Sequence, residues 1–171
     1  EMIKIAKFGG SSVASADQLK KVKAIVESDS DRRFIVASAA GKRHSTDNKI
    51  TDLLLLVNAH IEYHVDCTSL LADIEARFVE IADELGVTWP VAEEFEKFAS
   101  NIKSFSPEYV VSRGEWFTCQ LLAEYLGLPF VDAADVMVFH HDGTIDMERT
   151  ASRLKEVVAR SGSFVLPGFY G

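Results

Sequence analysis

A chain of 171 residues, 47% hydrophobic and 26% charged, is long enough to bury a proper core and has the make-up of a soluble globular domain. Its formal net charge of −8 excludes generic nucleic-acid binding, which selects basic faces, but leaves room for a small anionic ligand held by local donors. The two cysteines, Cys67 and Cys119, lack any CxxC spacing and read as buried reduced thiols inside helices rather than as a disulfide or zinc site.

No apolar run approaches the ~18–20 residues needed to span a bilayer, and no leader-like segment precedes Gly9-Gly10. The expectation is a cytoplasmic protein with no membrane and no nucleic-acid partner.

The first element is a strand over 3–8 (IKIAKF), expected to be buried, ending at Gly9-Gly10. From Ser15 to Glu27 the apolar positions Leu19, Val22, Ile25 and Val26 predict a helix, and Arg33 to Ala37 a second strand. This β–loop–α–β order predicts parallel strands. The polar segment SAAGKRHSTDNK reads as a flexible loop, and ITDLLLLVNAHIEYH as the next helix.

Two apolar stripes follow, Leu71/Ile74/Phe78/Ile81/Leu85 and Phe95/Phe98/Ile102/Phe105, separated at Pro90; both read as core-facing. Pro107 opens or precedes a helix to about Gly127, with Ser112-Arg113-Gly114-Glu115 in its interior or at a break. LPFVDA and VMVFH read as strands, HHDG as a turn, Ala151/Leu154/Val157/Val158 as a last helix, and SFVLPGFYG as a closing strand. The sum is α/β with a helical excursion, and the ending directly after a strand leads us to expect a truncated piece of a longer protein.

A strand ending in Gly9-Gly10 before a helix can offer backbone N–H groups to an anion, with Lys7 aimed at the same point and Ser11 and Ser12 as hydroxyl donors. The spacing equally suits a plain tight turn. It is not a Walker loop, whose lysine follows the glycines.

KFGGSSV resembles the N-terminal signature of aspartate kinases, members of the amino acid kinase family. VASAAG followed by ITDLLL, then SRGE, then PGFYG resemble further blocks of that family in its own order, so the likeness covers the whole chain. It implies a three-layer α/β/α sandwich around a mainly parallel sheet, with residues 1–171 forming the N-terminal, amino-acid-binding part of the catalytic domain. The nucleotide-binding half and the ACT regulatory domains are not found in this sequence. The implied activity is ATP-dependent phosphorylation of the L-aspartate side-chain carboxylate to 4-phospho-L-aspartate, the entry to lysine, threonine and methionine synthesis. ATP and Mg2+ are the implied cofactors and a homo-oligomer the implied full-length state; the piece alone is expected to be inactive. The alternatives are a glutamate-type amino acid kinase and a non-catalytic amino-acid or anion-binding module.

By the same resemblance Lys7 is the catalytic lysine that steadies the transferred phosphoryl group. Gly9, Gly10, Ser11 and Ser12 attend the ATP phosphates, Ser38 and Thr51 contact the substrate, and Glu115 holds its α-ammonium. Taken singly, Ser38 could end a strand, Thr51 could cap a helix, and Glu115 could be a solvated helix glutamate. Lys42, Arg43 and Lys49 either reach phosphate or sit in a solvated loop. His60 and His64 lie four apart, which on one helical face could suit a metal, but a polar face is the simpler reading. Trp89 and Trp116 read as core or interface anchors.

Overall fold

The computed structural model describes residues 2–168. Three parallel strands, β1 (Lys4–Phe8), β2 (Arg32–Ala37) and β3 (Phe164–Pro167), lie in the order β1-β2-β3. Phe8 pairs with Ala37 and Ala37 with Pro167, so the carboxyl ends of all three strands finish level.

Strand parity divides the core. Ile35, Ala37 and Val165 point into one cluster with residues of the helices α1 (Ala16–Glu27), α2 (Ile50–Glu62), α3 (Thr68–Leu85), α4 (Val91–Ser100) and α5 (Pro107–Leu126). Phe164 and Leu166, with the half-buried Phe34 and Val36, point the other way, onto α6 (Ala133–Val136) and α7 (Met147–Ser161). Helices on both faces of a parallel sheet make the three-layer α/β/α arrangement that the resemblance implies.

Local chemistry marks the starts of α1 and α5 and the ends of α3 and α5. Ser15 accepts from the Gln18 N–H ahead of α1, and Ser106 from the Tyr109 N–H ahead of α5, with Pro107 in the first turn. Gly86 and Gly127 close α3 and α5 at φ 69° and 68°, a left-handed conformation that glycine adopts without a Cβ penalty. SRGE lies inside an unbroken α5.

Several expectations fail. β1 is an edge strand among the described residues, with Ile5 62% exposed, because α6 and α7 cover β2 and β3 but not it. LPFVDA contributes a single bridge, Phe130 to Val165, before Asp132 accepts from the Ala134 N–H and turns the chain into α6. VMVFH likewise makes one antiparallel bridge, Phe139 to Ile145, around a turn closed by Gly143 at φ 87°. Cys67 precedes α3 rather than lying within a helix. α2 ends at Glu62 and His64 has φ 56°, so His60 and His64 do not share a helical face. Phe169, Tyr170 and Gly171, the end of the PGFYG block, lie outside the described residues.

Candidate functional site

The level carboxyl ends of the strands gather the loops that carry Gly9, Gly10, Ser11, Ser12 and Ser38, while Lys7 stands on β1 and Thr51 and Glu115 lie in helices. Such strand ends are the usual location for ligands in open α/β sheets. After β1, Gly10–Val13 form one 3-10 turn closed by Ser12 N–H to Gly9 carbonyl at 3.0 Å. After β2, the Ser38 N–H donates to the Phe8 carbonyl at 3.1 Å and the Gly41 N–H to the Gly10 carbonyl at 2.8 Å. The two loops therefore run side by side. A Cβ on Gly41 would lie 2.6 Å from the Gly10 carbonyl carbon, whereas one on Gly9 would meet nothing within 4 Å. Gly41 and Gly10 are thus small for the sake of each other, and Gly9 is the glycine with open space beside it.

Lys7 stands on β1 between Ala6 and Phe8, which pack into the five-helix cluster, so its side chain leaves the sheet on the other, uncovered side and is exposed. It forms no ion pair among the described residues. Thr51 is not the cap of α2, as Lys49 holds that position; it sits half-buried in the first turn. That turn is anchored by the Ile50 N–H to the Ala40 carbonyl at 3.0 Å.

The middle of α5 forms the back wall. A Cβ on Gly114 would be 3.2 Å from the Ala39 Cβ and 3.1 Å from Ile50 Cγ2, so this glycine lets the helix approach both the β2 loop and the start of α2. The Thr118 hydroxyl donates to the Gly114 carbonyl at 2.8 Å and accepts from the Ala40 N–H at 3.1 Å. Cys119 Sγ faces the Ala37 carbonyl at 3.5 Å. Glu115, one residue beyond Gly114, is 8% exposed and so is no solvated surface glutamate. Burial pushes the Cys119 thiol well above its ordinary range, and the neighbouring Glu115 carboxylate pushes it further. A cleft of about 160 Å³, lined by Ser112, Arg113, Trp116, Met137, Phe139 and Gly168 among others, opens between α5, α6 and the end of β3. The Arg113 guanidinium rests there 4.1 Å from the Tyr109 ring centre.

The loop between Ser38 and Thr51 is tied down rather than flexible. Arg43 grips Asp47 through Nε at 2.6 Å and Nη2 at 3.0 Å, and its N–H donates to the same carboxylate at 2.9 Å. Arg43 therefore spends its fork on Asp47 and holds that carboxyl far below the usual range. Lys42 and Lys49 remain exposed. Arg77, from α3, reaches in from behind and is 6% exposed. It donates to the carbonyls of Asn48 at 2.8 Å, Gly41 at 2.8 Å and Ala14 at 3.2 Å.

Comparison with known proteins decides what kind of fold end this is. Aspartokinase 3 of Bacillus subtilis is 31% identical over 184 aligned positions, spanning 99% of this chain and 40% of the relative. The crystal structure of Clostridium acetobutylicum aspartate kinase superposes with a TM-score of 0.92 at 42% identity, over 100% of this chain and 40% of that one. The chain belongs to the aspartokinase family. It spans about 40% of the length of the relatives it matches first. Escherichia coli aspartokinase III, solved with aspartate and ADP, shares the fold at a TM-score of 0.74 and 24% identity, over 99% of this chain and 41% of that one. No family model matches the sequence.

For this aspartokinase chain, the sequence-predicted residues sort into two groups. Gly10, Ser38, Thr51 and Glu115 belong to segments that touch through Gly10–Gly41, Ala40–Ile50 and Ala39–Gly114. Lys7, Gly9 and Ser11 are exposed at the same sheet end. Sequence reasoning missed Gly41 and Arg77. Arg77 had a visible signal, since it falls at a core position of the Ile74/Phe78/Ile81 stripe where an apolar residue belongs.

Proposed function

We propose that residues 1–171 form the amino-acid-binding part of an aspartokinase catalytic domain, in an enzyme that phosphorylates the side-chain carboxylate of L-aspartate with ATP. The observation that carries this reading is the buried Glu115 set against the loops at the carboxyl ends of the strands. A carboxylate largely kept from water at that end of the sheet suits an ammonium ligand, because charge-assisted hydrogen bonds are strong where water is excluded. The names of the Bacillus and Clostridium relatives support the substrate class, and the aspartate and ADP bound to the Escherichia coli protein are the ligands this reading requires.

In this reading a substrate carboxylate oxygen attacks the γ-phosphorus of ATP, the β–γ bridging P–O bond breaks, and ADP leaves with the electron pair. Glu115 binds the α-ammonium, while Ser38 and Thr51 supply donors to the amino acid. Gly9, Gly10, Ser11 and Ser12 present the turn after β1 to the phosphates. The Lys7 ammonium, a compact point charge, steadies the charge spread over the transferring group. Among the described residues no group of three or more His, Cys, Asp or Glu could hold a metal ion. These residues do not by themselves fit a Mg2+ site, and no step is assigned to one.

The test is steady-state kinetics on the full-length enzyme this reading implies, with L-aspartate and L-glutamate as competing acceptors. Glu115→Gln should raise KM for aspartate at least tenfold while leaving KM for ATP near wild type. Lys7→Met should lower kcat by about 10²-fold or more, the usual scale for removing one charge-stabilising donor. Preference for glutamate, or ADP release by the isolated chain at the full enzyme's rate, would overturn the reading.

A further inference from the structure

We infer that Arg77 is a positioning residue that pins the two ligand-facing loops to each other. Its guanidinium takes the carbonyl of Ala14, which follows the Gly10–Val13 turn, at 3.2 Å. With the same nitrogen it takes Gly41, the residue pressed against Gly10, at 2.8 Å. Its other terminal nitrogen takes Asn48 at 2.8 Å, two residues before the start of α2. One planar fork thus holds the end of the first loop and both ends of the stretch joining Gly41 to Asn48. The Asp47 carboxylate lies 4.0 Å from Nη2 and offsets part of the buried charge, while Nε has no acceptor among the described residues.

An arginine buried at a core position of a helix is costly, so what distinguishes it from an apolar residue there is what it holds. Nothing else from α3 reaches these carbonyls among the described residues. A lysine could not replace it, because three acceptors in two loops match a fixed fork and not a single ammonium. Arg77 touches no reacting group in this arrangement; it acts through where the loops place Gly10, Ser38 and Thr51. The inference rests on the proposed aspartokinase reading for its kinetic consequence and on geometry alone for the pinning.

The experiment uses Arg77→Lys and Arg77→Met in the full-length enzyme, assayed well below the melting temperature of each. Displacing catalytic loops by about an ångström costs on the order of 10²-fold in rate. We therefore expect kcat/KM for aspartate to fall about that much, with Arg77→Lys failing to rescue it. Amide hydrogen exchange on the same proteins should quicken at residues 9–15 and 41–50 and stay unchanged in α4. Wild-type kinetics in Arg77→Lys, or unchanged exchange in both loops, overturns the inference. If the wild-type enzyme does not phosphorylate aspartate, the functional reading falls, and the exchange pattern still decides whether Arg77 pins the loops.

Discussion

The two faces of the sheet are built to different standards. On one, five helices bury Ile35, Ala37 and Val165 in a continuous core whose centre is Phe117, ringed by Phe78, Phe95 and Trp116 at 5.3, 5.4 and 5.0 Å between ring centres. On the other, α6 and α7 cover β2 and β3 with a small cluster around Phe164 and leave Ile5 and Lys7 of β1 in the open. The thick face supplies the fixed parts of the site: the α5 wall with Glu115, and the arginine behind the loops. The thin face is where Lys7 emerges. Rigidity behind the site and access in front of it thus come from opposite sides of one three-stranded sheet.

The largest test of that contrast is to hollow each face in turn. Phe117→Ala should cost about 3–5 kcal/mol, the range for emptying a packed aromatic site. Val157→Ala on the thin face should cost about 1–2 kcal/mol, from two methyl groups at roughly 0.8 kcal/mol each plus a small cavity. Urea midpoints with an unchanged m-value would measure both, and equal losses would mean that the two faces are equally well packed.

Next in size is the seam between the loops. Gly41→Ala drives a Cβ to 2.6 Å of the Gly10 backbone, an overpacking expected to cost about 1–3 kcal/mol. Gly9→Ala should leave stability within about 0.5 kcal/mol, because φ there is −76° and its Cβ would meet nothing. Any activity lost in Gly9→Ala would then report ligand approach rather than packing. This separates the two meanings that a glycine pair can carry.

That ambiguity shows where the sequence was legible. α1 could be read from Ser15 and its apolar spacing, α3 from its apolar stripe, and α5 from Pro107 and Gly127 at its two ends. The parallel sheet followed from β–α–β order. Residues 129–139 could not be read in this way: Phe130, Val131, Met137 and Phe139 have strand-like composition, but the Asp132 cap takes the local backbone into α6. The site was legible as residue types in order, carried by the resemblance, while its construction was not. Gly41 is small because of Gly10, thirty-one positions earlier, and Arg77 is buried because of three carbonyls in distant loops. Such reasons exist only once the chain is folded.

A smaller effect probes the loop charges behind the thick face. Asp47 has its carboxyl held below its ordinary value chiefly by Arg43. A depressed folded-state pKa contributes stability that is present above the unfolded value of about 3.9 and lost as pH falls through it toward the lower folded value. Asp47→Asn should therefore be less stable than wild type at neutral pH, with the gap closing below about pH 4. Thermal melts of both proteins from neutral to acid pH would show it, and a gap that stays constant would mean that the Arg43 grip contributes nothing.

The smallest expected effect lies on β1. Ile5 is 62% exposed on the thin face, so Ile5→Ser in this chain should change stability by no more than about 0.5 kcal/mol. The same substitution in a longer protein carrying this sequence makes a sharper comparison. An exposed isoleucine on an edge strand is a natural contact for whatever covers that face, and full burial would raise its worth to about 1.5–3 kcal/mol. A loss of that size in the longer protein, set beside none in this chain, would show the thin face to be completed by another segment. Equal and negligible losses in both would show β1 to stay open, leaving Lys7 accessible from the side that α6 and α7 do not reach.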